Sequence, residues 1–177
     1  MDGNQQEFEQ MKRLLSATVA LSMLAGFGSI DAQARNRVVI DQWGSANGAA
    51  AVQQGNHNGA VINQTGNGQY ARGWQTGFRN FVRMDQNGTR NRVMTEQRGD
   101  DNFAVTGQQG RDLQASTYQS GYGNVAGTAQ IGNGSTATTD QAGINNTSGI
   151  IQLGNGQDAQ VRQRGDGNIY VVIQGGY

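Results

Sequence analysis

Polar and apolar positions along this chain follow two periods at once. From residue 36 onward small or apolar side chains recur at every second position: Val38 and Ile40, Ala60 and Ile62, Val82 and Met84, Ala104 and Thr106. A period of two is that of an extended strand with one face turned inward. The longer period is eleven, marked by Gln42, Gln53, Gln64, Gln75, Gln86, Gln97, Gln108, Gln119, Gln130, Gln141, Gln152, Gln163 and Gln174. A glycine follows each two places later: Gly44, Gly55, Gly66, Gly77, Gly88, Gly99, Gly110, Gly121, Gly132, Gly143, Gly154, Gly165 and Gly176. Such unbroken spacing predicts one short unit stacked on copies of itself.

With each glutamine as position zero, positions +5, +7, +9 and +11 share a strand face. None of them carries a charge between Asn36 and Gln174, whereas Arg37, Asp41, Arg83, Asp85, Arg92, Glu96, Asp112, Asp140 and Arg162 all fall on the other face or in turns. An unpaired buried charge is strongly unfavourable, so the charge-free face is expected to be the interior. The unit then reads as a strand of about seven residues, such as Asn36 to Gln42, and a turn of about four that contains the glycines.

A coarser alternation lies inside this one. Alternate strands open at +5 with Asn36, Asn58, Asn80, Asn102, Asn124, Asn146 and Asn168, while the strands between carry Asn47, Gln69, Asn91, Leu113, Ser135 and Gln157. The full repeat is therefore 22 residues, two of the eleven-residue units seen above. The predicted fold is all-β: a solenoid of about 6.5 strand-turn-strand rungs, with two facing parallel sheets of seven and six strands. Rungs about 4.8 Å apart give a stack roughly 30 Å long, its sheets about 10 Å from each other. The interior is mostly Gln, Asn, Ala and Thr, so burial of apolar surface is expected to be supplemented by in-register amide ladders between rungs. Each amide bond contributes about 1 kcal/mol, while an unpaired buried amide costs about 1–3 kcal/mol, so misregister is penalised more than pairing is rewarded. An eleven-residue period also suits a right-handed coiled coil. A helix is excluded because every unit would carry an interior glycine and no apolar stripe follows a 3.6-residue spacing. A nine-residue calcium β-roll would require regularly placed Asp, which is absent.

Composition changes this picture little. The chain has 177 residues, 28 glycines, no proline, no cysteine and zero formal net charge. Neutrality points to no nucleic-acid partner. The lack of cysteine excludes disulfides and thiolate zinc sites, and no cofactor or metal is expected. Residues 1–34 are of another kind: Lys12 and Arg13 precede an apolar run, Leu14 to Ile30, and then Ala32-Gln33-Ala34. This is the pattern of an N-terminal extension plus secretory signal peptide cleaved after Ala34, Met11 being a candidate start. The run is short and rich in Ser, Thr and Gly for a membrane span, so the mature chain, 35–177, is expected to have none.

Two strands are candidate ends of the stack, Asn36 to Gln42 and Asn168 to Gln174. Val38 and Ile40 in the first, and Ile169, Tyr170, Val171, Val172 and Ile173 in the second, are β-prone and uncharged, and no capping segment is evident beside them. Uncovered strand edges of this kind template further strands, so head-to-tail polymerisation into a cross-β fibre is expected.

The segment Gln119-Ser-Gly121-Tyr-Gly123-Asn124-Val-Ala126-Gly-Thr-Ala-Gln130 reproduces the curlin repeat, Gln-x-Gly-x-Gly-Asn-x-Ala-x-x-x-Gln, and Gln163-Arg-Gly165-Asp-Gly167-Asn168 repeats its first half. Across residues 36 to 176 the chain resembles the curlins, subunits of the extracellular curli amyloid of bacterial biofilms, in major or minor (nucleating) form. That resemblance implies a homopolymer, delivery through the periplasm and a dedicated outer-membrane pore, periplasmic accessory chaperones, and a related curlin as nucleator or major subunit. It departs from the family in keeping only Arg35 between the signal and the first repeat.

Sharper local signals are absorbed by the repeat. Arg98-Gly99-Asp100 and Arg164-Gly165-Asp166 spell an adhesion tripeptide, but each is a turn glycine between charges, and such charges act as gatekeepers beside sticky strands. His57 is a solitary turn residue. Ser148 has no base within reach of a hydrolytic role. The outward aromatics Trp43, Tyr70, Trp74, Phe81, Phe103 and Tyr118 fit packing between fibres. An enzyme would require carboxylates or bases gathered on one face, which are missing. The alternative function is a monomeric surface- or ice-binding solenoid. It would require a flat outward Thr array, yet Thr95, Thr106, Thr117, Thr128 and Thr139 are assigned inward.

Overall fold

The computed structural model describes residues 35–176. The proposed extension and signal peptide, 1–34, lie outside them. Thirteen strands follow one another: β1 (Arg37–Ser45), β2 (Gly48–Asn56), β3 (Gly59–Asn67), β4 (Tyr70–Phe78), β5 (Phe81–Thr89), β6 (Arg92–Asp100), β7 (Phe103–Arg111), β8 (Gln114–Tyr122), β9 (Val125–Asn133), β10 (Thr136–Ile144), β11 (Thr147–Asn155), β12 (Asp158–Arg164) and β13 (Ile169–Gly176). Odd strands form a seven-stranded sheet and even strands a six-stranded one, each in sequence order. All pairing is parallel, and register is set by the glutamines: Gln42 pairs Gln64, Gln64 pairs Gln86, and Gln53 pairs Gln75. The chain is thus a two-sheet β-solenoid with a 22-residue rung.

Strand length differs from the expectation. Most strands have nine residues, not seven, and most links are two residues, not four. The difference lies at the glycine two places after each glutamine, expected in the turn but in most strand pairs paired with its counterpart in the next rung, as Gly88 is with Gly110. The backbone bends there at positive φ, +124° at Gly88 and +141° at Gly110, while its ladder continues through the corner. The chain reverses two residues later, at position +4. This site takes the left-handed conformation throughout, in Ala46, His57, Arg79, Arg90, Asp101, Asp112 and Asn145 as well as in glycines such as Gly68 and Gly123. Non-glycine residues in that conformation are mildly strained, and the rungs stacked on both sides hold them there.

The uncharged face is the interior. In β3 to β11 positions +5, +7, +9 and +11 are buried wherever a side chain stands, and the residues between them are half-buried or exposed. Two apolar clusters occupy this interior. One joins Ala49, Ala60, Ile62, Ala71, Val82, Met84, Val93, Ala104 and Ala115; the other joins Ala137, Ile150, Ala159 and Val161. Between them the +9 column is threonine: Thr106, Thr117, Thr128 and Thr139 are all buried.

Candidate functional site

A shallow depression of about 70 Å³ lies on the outer face beside Arg72, Trp74, Met94, Glu96 and Tyr118, well below the several hundred Å³ of ordinary ligand sites. The described residues hold no group of three or more His, Cys, Asp or Glu able to share a metal ion. The features that could carry function are the amide columns and the two end strands of the described stack.

The glutamines form two columns, Gln42, Gln64, Gln86, Gln108, Gln130, Gln152 and Gln174 in one sheet, and Gln53, Gln75, Gln97, Gln119, Gln141 and Gln163 in the other. Every Nε2 with a glutamine above it donates to that Oε1: Gln86 to Gln108 at 2.9 Å, Gln108 to Gln130 at 2.8 Å, Gln97 to Gln119 at 2.9 Å. The second Nε2 hydrogen goes across the interior to a carbonyl of the facing sheet, from Gln108 to Arg92 at 3.1 Å and from Gln119 to Phe103 at 3.1 Å. Because a carbonyl only accepts, this cross-sheet bond fixes which end of each amide is nitrogen. The glutamine therefore ties rung to rung and sheet to sheet.

The asparagines run the opposite way. Nδ2 of Asn102 donates to Oδ1 of Asn80, and Nδ2 of Asn124 to Oδ1 of Asn102, each at 3.0 Å. The same Oδ1 accepts the backbone N–H of the next asparagine, as Asn58 does from Asn80 at 3.0 Å. Nδ2 also reaches the carbonyl of the corner glycine in the next rung, Asn58 to Gly77 and Asn102 to Gly121. This column, Asn36, Asn58, Asn80, Asn102, Asn124, Asn146 and Asn168, is continuous. Its counterpart in the even strands is interrupted: Gln69 reproduces the bonds of Nδ2, but its Oε1 is buried without a partner, and Leu113 has no amide at all. The two kinds of amide thus point in opposite senses along the stack: each position-zero Gln donates to the Gln of the following rung, as Gln108 does to Gln130, whereas Asn102 donates to the Asn of the preceding one.

A third column went unrecognised in the sequence. At position +3 an Asp or Asn accepts the backbone N–H of the rung before it: Asn67 from Ser45, Asp100 from Phe78, Asn155 from Asn133 and Asp166 from Ile144. The signal available was an Asx one residue before the left-handed position, which is ordinary turn chemistry. It bears on the adhesion tripeptides, because Asp100 and Asp166 are their acidic members and both are engaged within the stack. Arg98 in turn is paired with Glu96.

Much of the outward charge is paired in place. Arg79 grips Asp101 through two bonds of 2.6 Å, and Arg90 grips Asp112 through two of 2.7 Å, in both cases between adjacent rungs. Their guanidiniums hold both carboxyls below the ordinary carboxylate range against a smaller opposing effect of desolvation, and Arg164 does the same to Asp140. Outward aromatics pack along the columns: Phe81 stacks on Phe103 at 5.2 Å, and Arg92 lies over the ring of Tyr70. His57 meets the edge of Phe78. Thr95, Thr106, Thr117, Thr128 and Thr139 are inside the solenoid and form no outward array for ice.

The end strands have the character of edges. In β1, Val38 and Ile40 are in the inward columns yet 44% and 41% exposed; in β13, Tyr170 is likewise inward and 56% exposed, while Ser148 directly beneath it is 3% exposed. Ile169, Val171 and Ile173 are exposed, and Val172 is partly buried against Ile150 and its cluster. On the C-terminal half of the seven-stranded sheet even the outward side is apolar and uncharged, with Val125, Ile131, Ile151 and Leu153 exposed.

Comparison with known proteins bears on this repeat. The model of the curlin-associated repeat matches residues 88–116, which run from the corner glycine of β5 into β8. No curated protein and no solved structure matches the chain. The matched stretch supports the curlin resemblance, and the same strand-corner unit recurs through the rest of the described residues.

Proposed function

We propose that this protein is a secreted structural subunit that polymerises end to end into extracellular cross-β fibres of the curli kind, serving biofilm matrix, surface adhesion and cell aggregation. One observation carries the proposal: the amide columns that run through the stack reach both of its ends without a charge, on strands whose inward residues are exposed. An edge of this kind offers a second copy the same backbone and amide partners that each internal rung already has. The curlin-associated repeat within residues 88–116 supports the same conclusion. Many of the outward charges are paired at the corners and on the six-stranded sheet. By resemblance, the route out of the cell is the periplasm and an outer-membrane curli pore, with accessory chaperones on the way and a related curlin as nucleator or major subunit.

The test is direct. Residues 35–177, which contain every strand, are diluted from denaturant at micromolar concentration and followed by amyloid-dye fluorescence, electron microscopy and fibre diffraction. A lag, then fibres with a 4.7–4.8 Å meridional spacing, is the expected outcome. A protein that stays monomeric for days while folded as β-structure overturns the proposal.

A further inference from the structure

The outermost strand at both ends of the described stack belongs to the same sheet: β1 at one end and β13 at the other, both in the seven-stranded sheet. The six-stranded sheet is recessed at both ends, where it stops at β2 and β12. Copies stacked by simple translation would set β1 on β13 and leave a strand-wide slot between β12 of one copy and β2 of the next. We propose that successive copies instead join after a half-turn about the long axis, so that the overhanging β1 of one copy enters the recess above β12 of the previous copy, and β2 covers β13. This inference rests on the end-to-end assembly proposed above and specifies its joint.

Three observations favour the half-turn. The two sheets are interchangeable in backbone: the corners that leave odd and even strands share positive φ at the glycine and at position +4, as in Gly88 with Arg90 and Gly99 with Asp101. A strand of one sheet can therefore continue the other.

The charges then match. Glutamine pairs with glutamine in every strand pair, so placing Gln42 over Gln163 sets Arg37 over Asp158, Asp41 over Arg162 and Trp43 over Arg164. Each is an attractive contact of a kind the stack already uses between its rungs, as in Arg79–Asp101 and in Asp140–Arg162 at 3.5 Å. Arg37, Asp41 and Asp158 form no ion pair with another described residue. The same register lays Gly48, Ala50 and Val52 over the uncharged Ile169, Val171 and Ile173. Translation would instead put Arg37 over Ile169 and Asp41 over Ile173, leaving both charges against aliphatic side chains.

Both ladders also continue. Gln174 and Gln163 have Nε2 groups with no glutamine above them, and Gln53 and Gln42 have Oε1 groups with none below. The half-turn joins Gln163 to Gln42 and Gln174 to Gln53 with the donor direction preserved. It also places Ala49 over exposed Tyr170, a small residue over a large one. Translation would join a single column and leave the other broken.

The chain has no cysteine of its own, so paired substitutions report the joint cleanly. Directly stacked residues of a parallel sheet lie within disulfide reach. Fibres of the full mature chain carrying Val39→Cys with Gln160→Cys, or Ala50→Cys with Val171→Cys, are oxidised, dissolved in strong denaturant and run on a non-reducing gel. Both pairs are expected to give a ladder of covalent multimers, and Val39→Cys with Val171→Cys is expected to stay monomeric. A ladder from the last pair only, or from none of the three in chains that do form fibres, overturns the half-turn. Wild-type chains that form no fibre would instead overturn the assembly itself. A second measurement does not depend on cysteine: Arg37→Asp should slow elongation by roughly tenfold, as like charges meet at Asp158. Adding Asp158→Arg in the same chain should restore the rate; failure to restore it counts against the proposal.

Discussion

Gln69 occupies a slot that its neighbours fill with asparagine, and the extra methylene has a consequence. Its Nε2 donates to Thr65 and Gly88 as an asparagine would, but its Oε1 is buried with no donor. In the odd column the equivalent oxygen, Oδ1 of Asn58, accepts the N–H of Asn80. Substituting Gln69→Asn is expected to pair this oxygen with the N–H of Asn91. Relief of an orphaned buried acceptor is worth about 1–3 kcal/mol, against about 0.8 kcal/mol for the lost methylene. The net expectation is a gain of about 1 kcal/mol, read as a higher midpoint in denaturant unfolding of the monomer under conditions that suppress assembly. Sequence alone ranked Gln69 with the asparagines as a polar inward residue; its unsatisfied oxygen depended on the reach of one side chain in a fixed backbone and was not legible there.

At the scale of the strand and its corner, two neighbouring glycines in β7 separate what the fold requires from what it tolerates. Gly110 bends at φ +141°, and a Cβ there would collide with the carbonyl oxygen of Gly132 in the next rung. Gly107, three residues earlier, has ordinary φ and open space around a Cβ. Gly110→Ala is expected to cost about 4 kcal/mol or more, because the corner must unstack from the next rung to admit a methyl group. Gly107→Ala should be neutral or stabilise by about 0.5 kcal/mol through the unfolded chain. Circular dichroism and urea unfolding of the two variants check the contrast, and similar effects at both sites would refute this account of the corner. The periodic glycine was plain in the sequence. That it belongs to the strand, with its ladder unbroken, was not, because composition marks Gly for a turn whichever side of the corner it lies on.

At the scale of the whole molecule, the interior is held by amides that do not titrate, and the ionisable pairs sit at the surface. Asp101, Asp112 and Asp140 are the carboxyls held below their ordinary value of 3.8, by Arg79, Arg90 and Arg164 respectively. A lowered folded-state value means that each pair stabilises fully above about pH 4, and that this contribution is lost as pH falls through the depressed values. Exposure keeps each contribution small. Monomer stability should therefore be flat from about pH 5 to pH 9 and decline only below about pH 4, measured as unfolding midpoints at low protein concentration; a loss of structure near neutrality would contradict it. The sequence by itself determined the architecture, since a period of two within a period of eleven, with one face free of charge, admits few structures other than stacked strands. It also determined the composition of the interior, because charge cannot be buried unpaired. Only the tertiary structure decided where the corner lies, the opposed directions of the Gln and Asn ladders, and the Asx column at Asp100 and Asp166. Those properties depend on how far a side chain reaches and on which strand lies across from it, and spacing along a chain contains neither distance.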